Sequence, residues 1–348
     1  MQPRLVDLLA LQRLAATERR QVMKRASFAA CQALLKPHVN AIPERYLTTL
    51  EDWLRGAPDG QRKVLHWFSP DYPEQLRTIE KPPLVLFVAG QTELLSLPQV
   101  AIIGSRKASP PAQHNASYFA EHLTRAGVLV SSGLAQGVDR AAHQGALIAG
   151  ATLAVLGTGP DIAYPRQHRP LQQQIEQTGV IVSEFAPGTP AKADHFPRRN
   201  RILSGLARAV LVIEAKLKSG SLVTARLALE QNRSVLALPG SIWDQGMTGN
   251  LRLLQQGAAL VSQVNDVLNE LQLPRMAPYQ PEQGQNNCER SLANPQLLAN
   301  VGNEATSIDT IVARSGLPVA VVSEQLVLLE LEGRVASVAG GYIKVGRR

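Results

Sequence analysis

Six short apolar runs decide the fold: QVAIIG (99–104), VLVSSG (128–133), TLAVLG (152–157), VIVSEF (180–185), AVLVIEA (209–215) and SVLALPG (234–240). Each is rich in branched residues and is followed by glycines, hydroxyls or basic residues. Between them lie segments such as PAQHNASYFAEHLTRAG (111–127) and TARLALEQN (224–232), whose apolar positions recur at helical spacing. Short strands alternating with helices are successive βαβ units. A parallel return needs a crossover, normally a right-handed helical one, so a mostly parallel sheet covered on both faces is expected, a Rossmann-like α/β core.

Such sheets bind ligands at the carboxyl ends of their strands, where strand order reverses. The unusual residues all fall there. Gly104, Ser105 and Arg106 follow the first run, and a loop turned by Gly133 and Gly137 follows the second. The long loop ending DHFPRRNR (194–201) follows the fourth, and KLKSGS (216–221) follows the fifth. Gly104 lets a backbone approach an anion beside a hydroxyl and a guanidinium, at an expected helix N-terminus. Ser219, Gly220 and Ser221, with Lys216 and Lys218 just before them, form a second such cradle. Asp139 and His143, in the helix after the second loop, read as a cap and an interior histidine in preference to a catalytic pair.

Phe196 is the most informative single residue. It stands among His195, Arg198, Arg199 and Arg201, close to Lys192, in what reads as a loop, where a purely core role is hard to reconcile with such neighbours. An aromatic ring with guanidiniums is the chemistry of base stacking and backbone neutralisation on single strands. Asn200 can hydrogen-bond a base edge or cap the next helix.

Charge supports a polyanionic partner. The chain of 348 residues has a formal net charge of +8, and residues 100–265 alone hold 16 Lys+Arg against 9 Asp+Glu. The excess thus belongs to the core, with a pI near 9.7. Cys31 and Cys288 have no CxxC spacing, so neither a disulfide framework nor a zinc site is expected. No apolar run approaches a membrane span, and the first residues are interrupted too early for a signal peptide, so no membrane association and a cytoplasmic location are expected.

Outside the core, residues 1–70 read as helical, with LVLFVAG (84–90) as a lead-in strand within a core spanning 71–272. Residues 273–302, rich in Pro, Gln and Asn, read as a linker. Residues 303–348 give a helix, a second helix after Gly316-Leu317-Pro318 and a hairpin turned by Gly340-Gly341, a winged-helix-like order. The second helix carries Glu324 and Glu330 and no basic residue, which favours protein contact over duplex DNA.

Several chemistries lack their residues. GSRKAS (104–109) is not G-x-G-x-x-G and no acid ends the second run, so a dinucleotide is not expected. There is no P-loop, no nucleophile elbow and no clustered metal set, so no cofactor, metal or catalytic residue is expected.

The motifs VAIIGSRKAS, SSGLAQGVDRAAHQGAL, AYPRQHRPL, FPRRNRILSGLA, AKLKSGSLVTARLALEQ and LPGSIWDQGMTGNLRLLQQGA, in this order, closely resemble the DprA (Smf) family from about Tyr72 onward. The resemblance implies a single-stranded DNA-binding recombination mediator that acts as a homodimer and loads the RecA recombinase in natural transformation. It also implies a small SAM-like helical domain ahead of the core and a winged helix after it. Gly104, Ser105 and Arg106 match the family's backbone-binding motif, Phe196 and Asn200 its base-contacting loop, and Lys218 and Gly220 its second basic loop. The rival reading is a nucleotide-processing enzyme of the lysine-decarboxylase-like class, which needs a PGG-x-GT loop and a following glutamate. SGSLVTARLALE (219–230) lacks the paired glycines.

Overall fold

The six runs fold as six strands of one sheet in the computed structural model, which describes residues 3–58, 60–273 and 295–345. The chain forms two units, residues 1–276 and 277–348.

The first unit opens with four helices, α1 (Leu5–Arg13), α2 (Ala16–Met23), α3 (Gln32–Asn40) and α4 (Glu44–Arg55). Strand β1 (Arg62–His66), the short helix α5 (Glu74–Arg77) and β2 (Val85–Gly90) follow. Next come β3 (Gln99–Ile103), α6 (Pro110–Arg125), β4 (Leu129–Ser132), α7 (Val138–Ala149) and β5 (Thr152–Leu156). After them run α8 (Arg169–Thr178), β6 (Val180–Ser183), α9 (His195–Leu206), β7 (Ala209–Val212) and α10 (Gly220–Glu230). The unit closes with β8 (Ser234–Ala237), α11 (Thr248–Gln255), β9 (Ala259–Leu260) and α12 (Val264–Glu270).

Sheet order is β1-β2-β6-β5-β4-β3-β7-β8-β9. The pairs from β6 through β9 are parallel, with Val100 opposite Val130 on one side of β3 and opposite Ala209 on the other. Every residue of β3, β4, β5 and β7 is buried, as strands covered on both faces require. One face packs Ala101, Ile103 and Val212 against Ile202 and Leu203 of α9 and Ala225 and Ala228 of α10. The opposite face packs Val100, Ile102 and Leu211 against α6, α7 and α12. The strand order reverses at β3, because the chain leaves it toward β4, β5 and β6 but returns through α9 to β7 on its other side.

Residues 1–70 are not wholly helical as expected. Arg62–His66 is the sheet's edge strand, antiparallel to β2, because its inward Leu65 completes the core while its other residues stay half-exposed. The four preceding helices share one apolar cluster with the sheet: Leu8, Leu11, Leu50 and Trp53 pack with Phe87 of β2 and Ile181 of β6. Full burial of a ring such as Phe87 contributes roughly 1.5–3 kcal/mol. A buried carboxylate, Glu184, ties the same layers together, as described below.

In the second unit, α13 (Pro295–Asn300), α14 (Ile308–Ser315) and α15 (Val319–Leu331) precede a hairpin of β10 (Val335–Val338) and β11 (Gly341–Lys344). Most of the expected linker lies outside the described residues. Its last part is not linker: Leu297 and Val301 are buried with Ile311, Leu326 and Leu329, so α13 belongs to this unit's core.

Candidate nucleic-acid interface

A groove of about 480 Å³ opens where the strand order reverses, between the ends of β3 and β7 and under α9. Ten of the residues expected at a site line it: Gly104, Ser105 and Arg106 from the β3 end, Phe196, Arg199 and Asn200 from α9, and Lys218, Ser219, Gly220 and Ser221 before and at the start of α10. Asp139, Lys216 and Thr224 are its other polar lining residues, and Ile103, Ala135 and Leu203 its apolar ones.

The β3 loop is built differently from the expectation. Helix α6 begins only at Pro110, and prolines occupy its first two positions, so neither offers an N–H to an anion. Its cap Ser109 accepts from Ala112 N and is itself held by Glu214, whose carboxylate accepts from Ser109 N at 3.1 Å and from its hydroxyl at 2.5 Å. The cation that this loop brings to the groove is Arg106, while the neighbouring Lys107 does not line it. Helix α10 does supply what α6 cannot: its cap Ser219 accepts from Leu222 N, and Gly220 and Ser221 stand in the first turn, where N–H groups have no intrahelical acceptor. Ser221 donates to the Gly104 carbonyl at 2.8 Å, joining the two loops.

Phe196 lies in the first turn of α9, not in a loop. Pro197 is tolerated there because first-turn N–H groups go unused anyway. Helical spacing then puts Phe196, Arg199, Asn200 and Leu203 on one face, toward the groove. The Phe196 ring has Arg106 on it, guanidinium to centroid 5.7 Å, and Tyr164 beside it, centroids 5.2 Å apart and tilted by 38°. A side chain at Gly157 would collide with the same ring.

Arg199 forms the groove floor. It is buried over Gly133, where a Cβ would stand 2.3 Å from the guanidinium, and it donates to the Val155 carbonyl. Burial lowers its pKa to about 10, against the pull of Asp139, and it remains a cation at neutral pH. Burial likewise pushes the Asp139 carboxyl above its usual range, although Arg199 and the N–H groups of Ala135 and Gly133 oppose that shift.

Four expected residues do not line the groove. Gly133 supports Arg199, and Gly137, at φ +73°, caps α7 where a Cβ would meet the Ser105 carbonyl at 2.2 Å. Lys192 is exposed in the turn before α9. Arg201 is turned away, because positions 198 and 201 fall on the other face of α9: both pair with Glu184, Arg198 at 3.0 Å, joined by Arg19 at 3.6 Å. Burial pushes the Glu184 carboxyl up, but Arg201, Arg198 and Arg19 outweigh it and hold it below its ordinary range.

His143 is an interior residue: its Nδ1 lies 2.9 Å from the Thr152 hydroxyl, and burial lowers its pKa to about 3, so it is neutral. The sequence reading missed Glu214 and Tyr164. Glu214 ends an apolar strand run, and Tyr164 sits in a motif with no pattern of its own. Among the described residues no cluster of three or more His, Cys, Asp or Glu could hold a metal, and no single helix is long and apolar enough to cross a membrane.

Exposed cations, a half-buried ring and first-turn N–H groups at the switch point of a parallel sheet are chemistry suited to a phosphorylated, base-bearing ligand. Comparison with known proteins specifies which. The family model of DNA recombination-mediator protein A matches residues 63–272, and the DprA winged helix domain matches residues 281–341. Protein Smf of Escherichia coli (strain K12) is 45% identical over 286 residues, 79% of this chain and 75% of its own. DNA processing protein DprA of Streptococcus pneumoniae is 44% identical over 202 residues, 58% of this chain and 71% of its own. The X-ray structure of the Streptococcus pneumoniae DprA superposes with a TM-score of 0.67 at 32% identity, over 79% of this chain and 100% of that one. A structure of Helicobacter pylori DprA, which describes that protein's single-stranded DNA binding mode, gives 0.55 at 31% identity, over 61% and 96%. The chain belongs to the DNA recombination-mediator protein A family, DprA or Smf, with a Rossmann-like core and a C-terminal winged helix.

Proposed function

We propose that this recombination mediator binds single-stranded DNA in the groove at the β3–β7 switch point, without sequence preference. The carrying observation is the Phe196 ring, half-buried between Arg106 and Tyr164 in a groove whose exposed cations Arg106, Lys216 and Lys218 form no ion pair among the described residues. A ring of this kind stacks on a base of any identity, and the cations neutralise the backbone beside it. Gly104, Ser105, Arg106, Phe196, Asn200, Lys218, Ser219, Gly220 and Ser221 touch the strand, Arg199 supplies charge from beneath, and Gly133 and Gly137 allow the backbones to approach.

The protein acts as a homodimer in the cytoplasm and passes the strand to the RecA recombinase in natural transformation. Family membership supports this part. The winged helix contacts protein rather than duplex DNA: α15 carries Glu324 and Glu330, no basic residue, and exposed Val319, Val327 and Leu331. We read the protein as a mediator and not as an enzyme.

A gel-shift comparison of single-stranded and duplex DNA of equal length tests the central reading. Preference for the single strand supports it, and equal or weaker affinity would contradict it. Turnover of nucleoside monophosphates would favour the nucleotide-processing alternative.

A further inference from the structure

A second groove, of about 630 Å³, lies on the other side of Arg106, between the start of α6, the α7 N-terminus and the start of α8. Arg106 lines both grooves and forms the ridge between them. The second is lined by two further exposed cations, Lys107 and Arg140, and by amide side chains that include Gln136, Gln144 and Gln167. No carboxylate lines it, and Lys107 and Arg140 form no ion pair among the described residues. Gln136 donates to Gln167 at 3.5 Å, so an exposed amide pair links the β4–α7 loop to the entry to α8.

From this arrangement we propose that the second groove carries the continuation of the same single strand, beyond the nucleotides held at Phe196. The inference rests on the reading of the first groove and extends it. A polynucleotide fits better than a protein partner, because none of the large exposed apolar side chains lines this groove and its charge is of one sign. Glutamine amides offer both donors and acceptors, so they can meet the edge of any base by small rotations, while Lys107 and Arg140 neutralise two phosphates. Arg106 is the shared contact, and a strand crossing it passes from the stacked base at Phe196 onto the α7–α8 surface.

The test compares two labelled oligothymidylates, one of about 6 nucleotides, near the lower end of the site sizes usual for single-strand binders, and one of about 20, beyond their upper end. The full-length protein is compared with its Lys107→Ala/Arg140→Ala variant. Both replaced residues are exposed, so the melting temperature serves as a control for folding and should not move. The variant is expected to bind the short strand as the unchanged protein does and the long strand about tenfold more weakly. Its log-affinity against log-salt slope on the long strand should be shallower by about 1.4, which is two phosphates at 0.7 each. Gln144→Ala should weaken only the long strand and leave its slope unchanged. Equal loss on both lengths, or no loss on the long one, overturns the extension while leaving the first groove standing. Failure of the unchanged protein to bind either length overturns both readings.

Discussion

Helix α9 has two cationic faces with opposite fates. On one, Arg198 and Arg201 are consumed by Glu184, a carboxylate 2% exposed that also holds Arg19 of α2, so their charge is spent inside the fold. On the other, Phe196 and Asn200 face the groove, with Arg199 beneath them and Arg106, Lys216 and Lys218 opposite, none of these three cations paired among the described residues. A count of basic residues cannot tell these faces apart. The difference lies in which side of α9 a residue occupies, and it separates guanidiniums spent on Glu184 from the groove side, where the unpaired cations come from two loops across from Phe196.

The largest expected effect is on the structural face. Glu184→Ala should destabilise the fold by about 3–5 kcal/mol, because three guanidiniums lose their buried counter-ion. Urea unfolding reads this directly, and a change below about 1 kcal/mol would mean that the cluster is not the tie between α2 and the sheet.

The next lever is pH, and it also acts on the fold. The folded pKa of His143, about 3, lies below the unfolded value near 6.5, so the unfolded chain binds the extra proton first. Its contribution to stability is therefore fully present above pH 6.5 and is lost as pH falls toward the folded value. At pH 4 the loss is about 3 kcal/mol. Denaturation midpoints measured from pH 7 to pH 4 should fall more steeply for the unchanged protein than for His143→Gln; parallel curves would count against a neutral buried histidine.

On the ligand face, Phe196→Ala should cost about 1–3 kcal/mol of single-strand affinity, with Phe196→Tyr restoring most of it and the salt slope unchanged in both. Melting temperature must be followed on the same preparation. An alanine variant that is destabilised yet binds normally would make Phe196 a packing residue against Gly157 and Tyr164.

The smallest effect is expected from the second unit. Residues 277–348 carry six Lys+Arg and seven Asp+Glu, so ending the chain at Met276 should change single-strand affinity by less than about twofold, read by fluorescence anisotropy. A loss of most binding in the folded truncation would move the site off the core.

The sheet was legible because each of its six parallel runs is mostly apolar and branched and is followed by glycines, hydroxyls or basic residues. Placement of the loops at one edge followed from that topology. What escaped were features that depend on orientation. HFPRRNR looks like a loop because Pro197 and three arginines hide the helical pattern, yet a first-turn proline costs a helix nothing. Arg199 and Arg201 are two positions apart and cannot be told apart by type, although about 200° of helical rotation puts one beneath the groove and the other on Glu184. The N-terminus of α6 looked like an anion site until Ser109, Pro110 and Pro111 proved to close it. Edge strand β1 and helix α13 are short, and their apolar residues become informative only beside the cores they complete.

The most direct test of the two-faced helix is a paired salt titration of single-strand affinity for Arg106→Ala and Arg198→Ala. Arg106→Ala is expected to weaken binding to all sequences about equally and to flatten the log-affinity against log-salt slope by about 0.7, the loss of one phosphate contact, while Arg198→Ala leaves the slope where it was. If Arg198→Ala flattens the slope as much as Arg106→Ala does, the division of α9 into a structural and a ligand-binding face is wrong, and if neither variant changes it the groove beside Phe196 is not where the phosphates bind.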